Sequence, residues 1–370
     1  MYCRLQYFHQ FCHSRIACYV YSVRINKKDQ KPFCDANIKS KATQSKYSFP
    51  SGKFYLNFQT AIVTGIGRSG KSTLGNILAT NKNVEYSEEP WLLNLLSAMT
   101  ELNILDKEVG KDMFTSFLHE LMNDMVLLRA ANFRPDDGSS IWTKKTPQEI
   151  LSRLSDIKTR DDVQNFIKTK KPTLLLILRE SPLFNLSAIF DFLPKTRIIH
   201  VVRSGIDVAY NLEEKGWNSD RQLAKPSLAR IFYSVAHKGK TLYIPYWIDL
   251  KDAKTFIEYS EYERGLFYWC ALMEKLVSFL EETKSANNSV FARKISKQYK
   301  TIKFEDLLAS PTKVFEEASL FCGMEPSVIT DTELRKIAAY RCVCKRAPAL
   351  PKELLARTQK IYSYFEYDWR

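Results

Sequence analysis

Ala61-Ile-Val-Thr-Gly65-Ile-Gly67-Arg68-Ser69-Gly70-Lys71-Ser72-Thr73-Leu74 decides how this chain is read. Ala61 to Val63 is a short apolar run that predicts a buried strand. Gly65, Gly67 and Gly70 follow, and the apolar pattern from Leu74 to Ala79 predicts a helix. Strand, glycine turn and helix together build an anion site. Glycine lets the backbone bend and approach a ligand, and the helix start offers free N–H groups and the positive end of a dipole. Arg68 and Lys71 add full charges; Ser69, Ser72 and Thr73 add hydroxyl donors.

Two readings of the loop follow. Gly65-x4-Gly70-Lys71-Ser72 matches the Walker A phosphate loop of nucleoside-triphosphate-dependent kinases and NTPases. The same residues resemble the 5′-phosphosulfate loop of sulfotransferases, a basic residue followed by Ser-Gly-Thr-Thr, here Arg68-Ser69-Gly70-Lys71-Ser72. The rest of the chain must choose.

At 370 residues there is room for one large domain or two small ones. Hydrophobic content of 45% and charged content of 26% are those of a soluble globular protein. The net charge of +14 suits an anionic ligand. No nucleic-acid module such as a paired Cys/His finger is present, so a nucleic-acid partner is not expected. The eight cysteines form no C-x-x-C, and reduced, buried thiols are expected. No apolar run approaches the ~20 residues of a membrane span. Ile16 to Val23 is short and lies between Arg15 and Arg24. A soluble, cytoplasmic protein is expected.

Residues 1–55 differ from the remainder. They lack clean periodicity, and Lys27 to Ser51 is rich in Lys, Ser, Gln and Pro. They read as an extension, with one α/β domain over 56–370. Within it, Asn83 to Tyr86, Ile141-Trp142, Leu174 to Leu178, Arg197 to Val202 and Tyr299 to Phe304 read as strands. Helices are expected over Trp91–Leu105, Met113–Ala131, Phe184–Leu193, Gly205–Glu214, Tyr262–Lys284, Pro311–Cys322 with a stop at Gly323, and Lys352–Phe365. Leu223 to Ser260 is aromatic-rich and reads as an insertion or lid. Continuous apolar strands alternating with helices predict a mostly parallel central sheet covered on both faces.

A phosphate-loop NTPase wants an acidic residue at the end of a buried strand to hold magnesium. Here Leu174 to Leu178 runs into Arg179-Glu180, where only Glu180 could serve, and Ile198 to Val202 runs into Arg203-Ser204. A cation at a strand end suits a second anionic group. Arg197 to Asn211, with Arg203 and Asp207-Val208, resembles the 3′-phosphate-binding segment of sulfotransferases; Asn211 stands where that family has Ser. Lys303 to Leu308 with Pro311, Phe321 to Met324, and Lys145-Thr146-Pro147 resemble further segments of the family in the family's order. The resemblance spans about residues 58 to 330. Lys71 departs from it, the family having Thr there, and keeps the kinase alternative open.

The resemblance implies a P-loop-like α/β fold and 3′-phosphoadenosine 5′-phosphosulfate as donor, with no metal. It places Arg68 beside the bridging oxygen as a catalytic cation. The backbone N–H groups of the Gly67 to Thr73 loop, chiefly Ser69 to Thr73, would cradle the 5′-phosphate, with the Ser72 and Thr73 hydroxyls. Arg203 and Asn211 would hold the 3′-phosphate. Ser87-Glu88-Glu89-Pro90 stands where the family carries its general base, Glu89 being favoured and Glu88 second; Lys145 would steady the sulfuryl group. His119 and His200 read as packed residues. The acceptor is a small molecule, carbohydrate or peptide hydroxyl.

Overall fold

The apolar runs read from the sequence lie side by side in the computed structural model, which describes residues 56–179, 186–225, 231–285, 290–338 and 345–368. The proposed extension 1–55, Glu180, and all the cysteines except Cys270 and Cys322 lie outside the described residues. Those two are buried free thiols. The first half of the chain runs β1 (Gln59–Thr64), α1 (Lys71–Leu78), β2 (Val84–Glu88), α2 (Trp91–Glu101), α3 (Lys107–Val126), α4 (Pro147–Asp156), α5 (Arg160–Lys170) and β3 (Thr173–Ile177). Next come α6 (Leu186–Phe192), β4 (Arg197–Val202), α7 (Gly205–Glu214), α8 (Asp220–Leu223), β5 (Phe232–His237), β6 (Lys240–Pro245) and α9 (Ala253–Glu258). The last part comprises α10 (Glu261–Ser285), α11 (Val290–Gln298), β7 (Tyr299–Lys303), α12 (Phe304–Ala309), α13 (Pro311–Cys322), α14 (Thr330–Ala338) and α15 (Lys352–Tyr364).

The main sheet has the order β2-β3-β1-β4-β7, and every pairing in it is parallel. β1 is central: Ala61 lies opposite Leu175 on one side and Arg197 on the other. Alternate side chains serve opposite faces. Ala61, Val63, Leu175, Ile177, Ile199 and Val201 pack against α1, α13 and α14. Ile62, Leu174, Leu176, Ile198 and Val202 pack into a larger core with α3, α7 and α10. Burying each such side chain contributes roughly 1.5–3 kcal/mol, so the sheet is held from both faces, as its uninterrupted apolar strands require.

Two expectations change. Ile141 and Trp142 form a 3-10 turn, Ile141–Thr143, because the amides of Lys144 and Lys145 both fold back onto the Ile141 carbonyl. The aromatic stretch 223–260 contains an antiparallel hairpin, β5–β6, turning at Lys238-Gly239 with φ 47° and 75°. Positive φ at both turn residues matches the twist of the flanking strands.

Parallel pairing brings every carboxyl end to one edge. Glu88 lies opposite Ile177, Thr64 opposite His200, and Val202 opposite Lys303. Glu89, Gly65, Arg203 and Phe304 follow directly after these strands, and Arg179 follows β3 after Leu178. The order reverses around β1, and that crevice is where open α/β sheets hold ligands.

Candidate functional site

The loop after β1 is shaped by two glycines. A Cβ on Gly65 would lie 2.5 Å from Ser69 Oγ and 2.6 Å from the Val201 carbonyl. Gly70 has φ 92°, and a Cβ there would strike the Phe304 ring. Gly70 caps α1 without a side-chain bond, and no acidic residue occupies the first turn. The opening N–H groups of α1 therefore have neither intrahelical partners nor a capping side chain, and the dipole presents its positive end. One part of the expected cradle is corrected: the Ser69 amide donates to the Ile66 carbonyl at 3.0 Å, closing the loop on itself. The Ser69 hydroxyl is buried without a partner.

A cavity of about 390 Å³ opens over this turn, lined by Arg68, Gly70, Lys71, Ser72 and Thr73 of the loop, with Glu89, Arg203 and Asn211. Trp217, Phe304, Leu308, Lys336 and Ile337 complete it. Gly67 is not in the lining; it backs onto Trp217. Arg68 is exposed and holds φ 70°, a conformation that non-glycine residues adopt at a free-energy cost.

Inside the cavity Glu89 joins two cations. Lys71 Nζ is 2.8 Å from Glu89 Oε1, and Arg179 Nε donates to Oε2 at 2.9 Å. Glu89 also has positive φ, 48°, and its amide donates to the Ile177 carbonyl. Arg179 is fixed from both sides: Asn94 Oδ1 accepts its amide at 2.9 Å, and Thr64 Oγ1 donates to its carbonyl at 3.0 Å. Burial pushes the Glu89 carboxyl pKa up, but Lys71 and then Arg179 outweigh it and hold the group below the ordinary carboxylate value.

Arg203 is buried and crosses from the end of β4 to the loop. Its Nη1 donates to the Arg68 carbonyl at 3.1 Å, and its guanidinium lies 4.7 Å from the centre of the Phe304 ring. Asn211, two turns into α7, donates one amide hydrogen to the Asp207 carbonyl at 2.6 Å.

Not every expected residue arrives. Glu88 is absent from the lining, so Glu89 is the carboxylate the structure brings to the cavity. Lys145 lies elsewhere. Its Nζ donates to the Val84 carbonyl at 2.9 Å, at the amino end of β2, and pairs with Glu85 and Glu149 at 3.3 and 3.4 Å. His200 is fully buried in β4, bonded through Nδ1 to Tyr299, and burial drives its pKa down to about 3. A packed ring is what the sequence predicted. Sequence reading gave no role to Arg179, Trp217, Phe304 or Lys336. Arg179 had a signal, a cation at the end of an apolar run, and Phe304 stands in the Lys303 to Leu308 segment; Trp217 and Lys336 have none.

No family model matches the chain, and no curated protein matches it. Among solved structures it is similar to the sulfotransferase domain of the Synechococcus PCC 7002 olefin synthase, at 14% identity, covering 86% of this chain and 98% of that one, with a TM-score of 0.41. A sulfotransferase from Mycobacterium avium matches at 11% identity over 85% and 78% of the two chains, TM-score 0.41. A sulfotransferase from Alicyclobacillus acidocaldarius matches at 13% identity over 84% and 96%, TM-score 0.34.

Proposed function

We propose that this chain transfers a sulfuryl group from 3′-phosphoadenosine 5′-phosphosulfate to a hydroxyl acceptor. The observation that carries the reading is Arg203. A buried guanidinium at the end of β4 shares one cavity with the uncapped start of α1, so two separate anionic groups of one nucleotide can be met at once. The cavity volume falls in the range of small-ligand sites.

The donor's chemistry is an activated sulfuryl group on a phosphate leaving group. The N–H groups opening α1, with Ser72 and Thr73, would bind the 5′-phosphate; Arg203 would hold the 3′-phosphate, with Asn211 beside it. Arg68 would neutralise charge as it grows on the departing phosphate oxygen, and Glu89 would take the acceptor's hydroxyl proton. The new bond joins the acceptor oxygen to sulfur, the sulfur–phosphate oxygen bond breaks, and the leaving phosphate keeps the electron pair.

One observation favours a phosphate-loop kinase instead: Lys71, the lysine of the G-x-x-x-x-G-K-[ST] match, faces the same cavity. Calorimetric titration separates the two. Adenosine 3′,5′-bisphosphate should bind at least about tenfold tighter than ATP, indifferent to EDTA, and Arg203→Ala should erase most of that preference, since one charge-assisted bond is worth roughly 1.5–3 kcal/mol. Tight, magnesium-dependent ATP binding would give the chain to the kinase reading.

A further inference from the structure

Lys71 is the first residue of α1, and its ammonium is turned onto Glu89. The three charged groups around that contact differ in freedom. Arg179 has its amide and its carbonyl both held, by Asn94 and Thr64. Glu89 is pinned by its own amide bond to Ile177 in a left-handed backbone conformation. Lys71 alone reaches the carboxylate on a flexible four-carbon stem, from the same helix turn whose N–H groups open into the cavity. An anion seated on that turn is next to Lys71 and carries more charge than a carboxylate.

We propose that Lys71 senses the donor: a phosphate seated on the start of α1 takes Lys71 from Glu89, which keeps Arg179 alone and becomes the competent acceptor of the hydroxyl proton. The inference rests on the sulfuryl-transfer reading and deepens it. A carboxylate clamped by two cations is a poor base, and releasing one of them restores its basicity. The charged and titratable groups around Glu89 are Lys71 from α1, Arg179 after β3, and Glu88 and Tyr86 on β2. Of these, Lys71 is the cation that stands on the helix turn where an anion would seat. The device makes base activation depend on donor occupancy, so an acceptor arriving first meets an inactive carboxylate.

The competition is measurable by titrating adenosine 3′,5′-bisphosphate into the wild-type chain, Glu89→Gln, Lys71→Met and the double variant, each checked by thermal unfolding. Removing the carboxylate frees Lys71 in advance, so Glu89→Gln should bind the bisphosphate roughly tenfold tighter, about the strength of one partly buried ion pair. In the Lys71→Met background the same change should alter affinity less than about twofold. Simple repulsion between Glu89 and the ligand predicts the reverse, because without Lys71 the carboxylate is less neutralised and its removal should gain more. Equal affinities of wild type and Glu89→Gln would overturn the proposal and leave the donor reading standing. So would a gain as large without Lys71 as with it. Failure of the bisphosphate to bind the wild-type chain would overturn the donor reading and the proposal together. If Lys71→Met does not fold, Lys71→Gln removes the charge with a polar stem and completes the same cycle.

Discussion

Two ion clusters hang on the two ends of β2, and they do opposite things with the same chemistry. At the amino end, Glu85 is bound by Arg153 at 2.7 Å and Lys145 at 3.3 Å, with Glu149 bridging both cations from α4. About 13 Å along the chain, past Glu88, Glu89 is bound by Lys71 and Arg179. Glu85 and its two partners are at most 6% exposed, whereas Glu89 and Arg179 are 28% and 30% exposed, Lys71 is 7% exposed, and Glu89 and Lys71 line a cavity. The first cluster balances two carboxylates against two cations, and the cavity beside Glu85 and Lys145 is only about 30 Å³. The second carries two cations for one carboxylate beside an uncapped helix start, so it has charge to offer a ligand. Burial and charge count are what set the two clusters apart.

The comparison breaks most visibly in turnover. On the proposed sulfuryl-transfer reading, Glu89→Gln should lower turnover by about 10²–10⁴-fold, the usual contribution of a positioned base, while the unfolding midpoint stays near wild type. Steady-state kinetics beside urea unfolding would check both, and a variant that keeps full turnover removes Glu89 from the base role. The reverse pattern belongs to Glu85→Gln. It leaves Lys145 and Arg153 buried against Glu149 alone, and breaking such a cluster costs about 3–5 kcal/mol, read as a large shift of the urea midpoint. Smaller still is the contrast between lysines. Lys71→Met should weaken bisphosphate binding by roughly tenfold, whereas Lys145→Met should lower stability and leave affinity within about twofold. A Lys145→Met variant that folds normally but loses bisphosphate affinity would put that lysine back at the site.

Much of this was legible in the sequence because it is local. The five-residue apolar run of β3, the Gly323 stop of α13 and the Gly65 to Thr73 loop all declare themselves within a few residues. What was missed depends on partners far away in the chain. Lys145 reads as a catalytic lysine from Lys-Thr-Pro, but only the fold shows that its ammonium reaches Val84 and Glu85, about sixty residues earlier. Arg179 was visible as a strand-end cation, yet its partner Glu89 lies 90 residues away. Phe304 gains its role from the ring that fills the space beside Gly70. α5 begins with a capping box at Thr159 and Asp162, a signal that was present, but it buries only Val163 and Ile167, too few positions for periodicity to show.

The gentlest test of the comparison is acid. Both carboxyls are held below the ordinary glutamate value, near 4.5: burial pushes each up, and their cations, Lys145 and Arg153 for Glu85 and Lys71 and Arg179 for Glu89, more than reverse it. A carboxyl whose folded pKa is depressed binds fewer protons when folded than when unfolded. Its contribution to stability is therefore complete above its unfolded value and is lost as the pH falls through its folded one. Stability measured by urea should be flat in these two groups above about pH 5 and decline below about 4.5. The decline should be shallower in Glu85→Gln than in Glu89→Gln, because the more exposed cluster is partly screened by water and contributes less. High salt should flatten the Glu89 share first, for the same reason. Equal flattening by the two substitutions, at either ionic strength, would mean that the two clusters are energetically alike and that the difference in burial along β2 does not separate them.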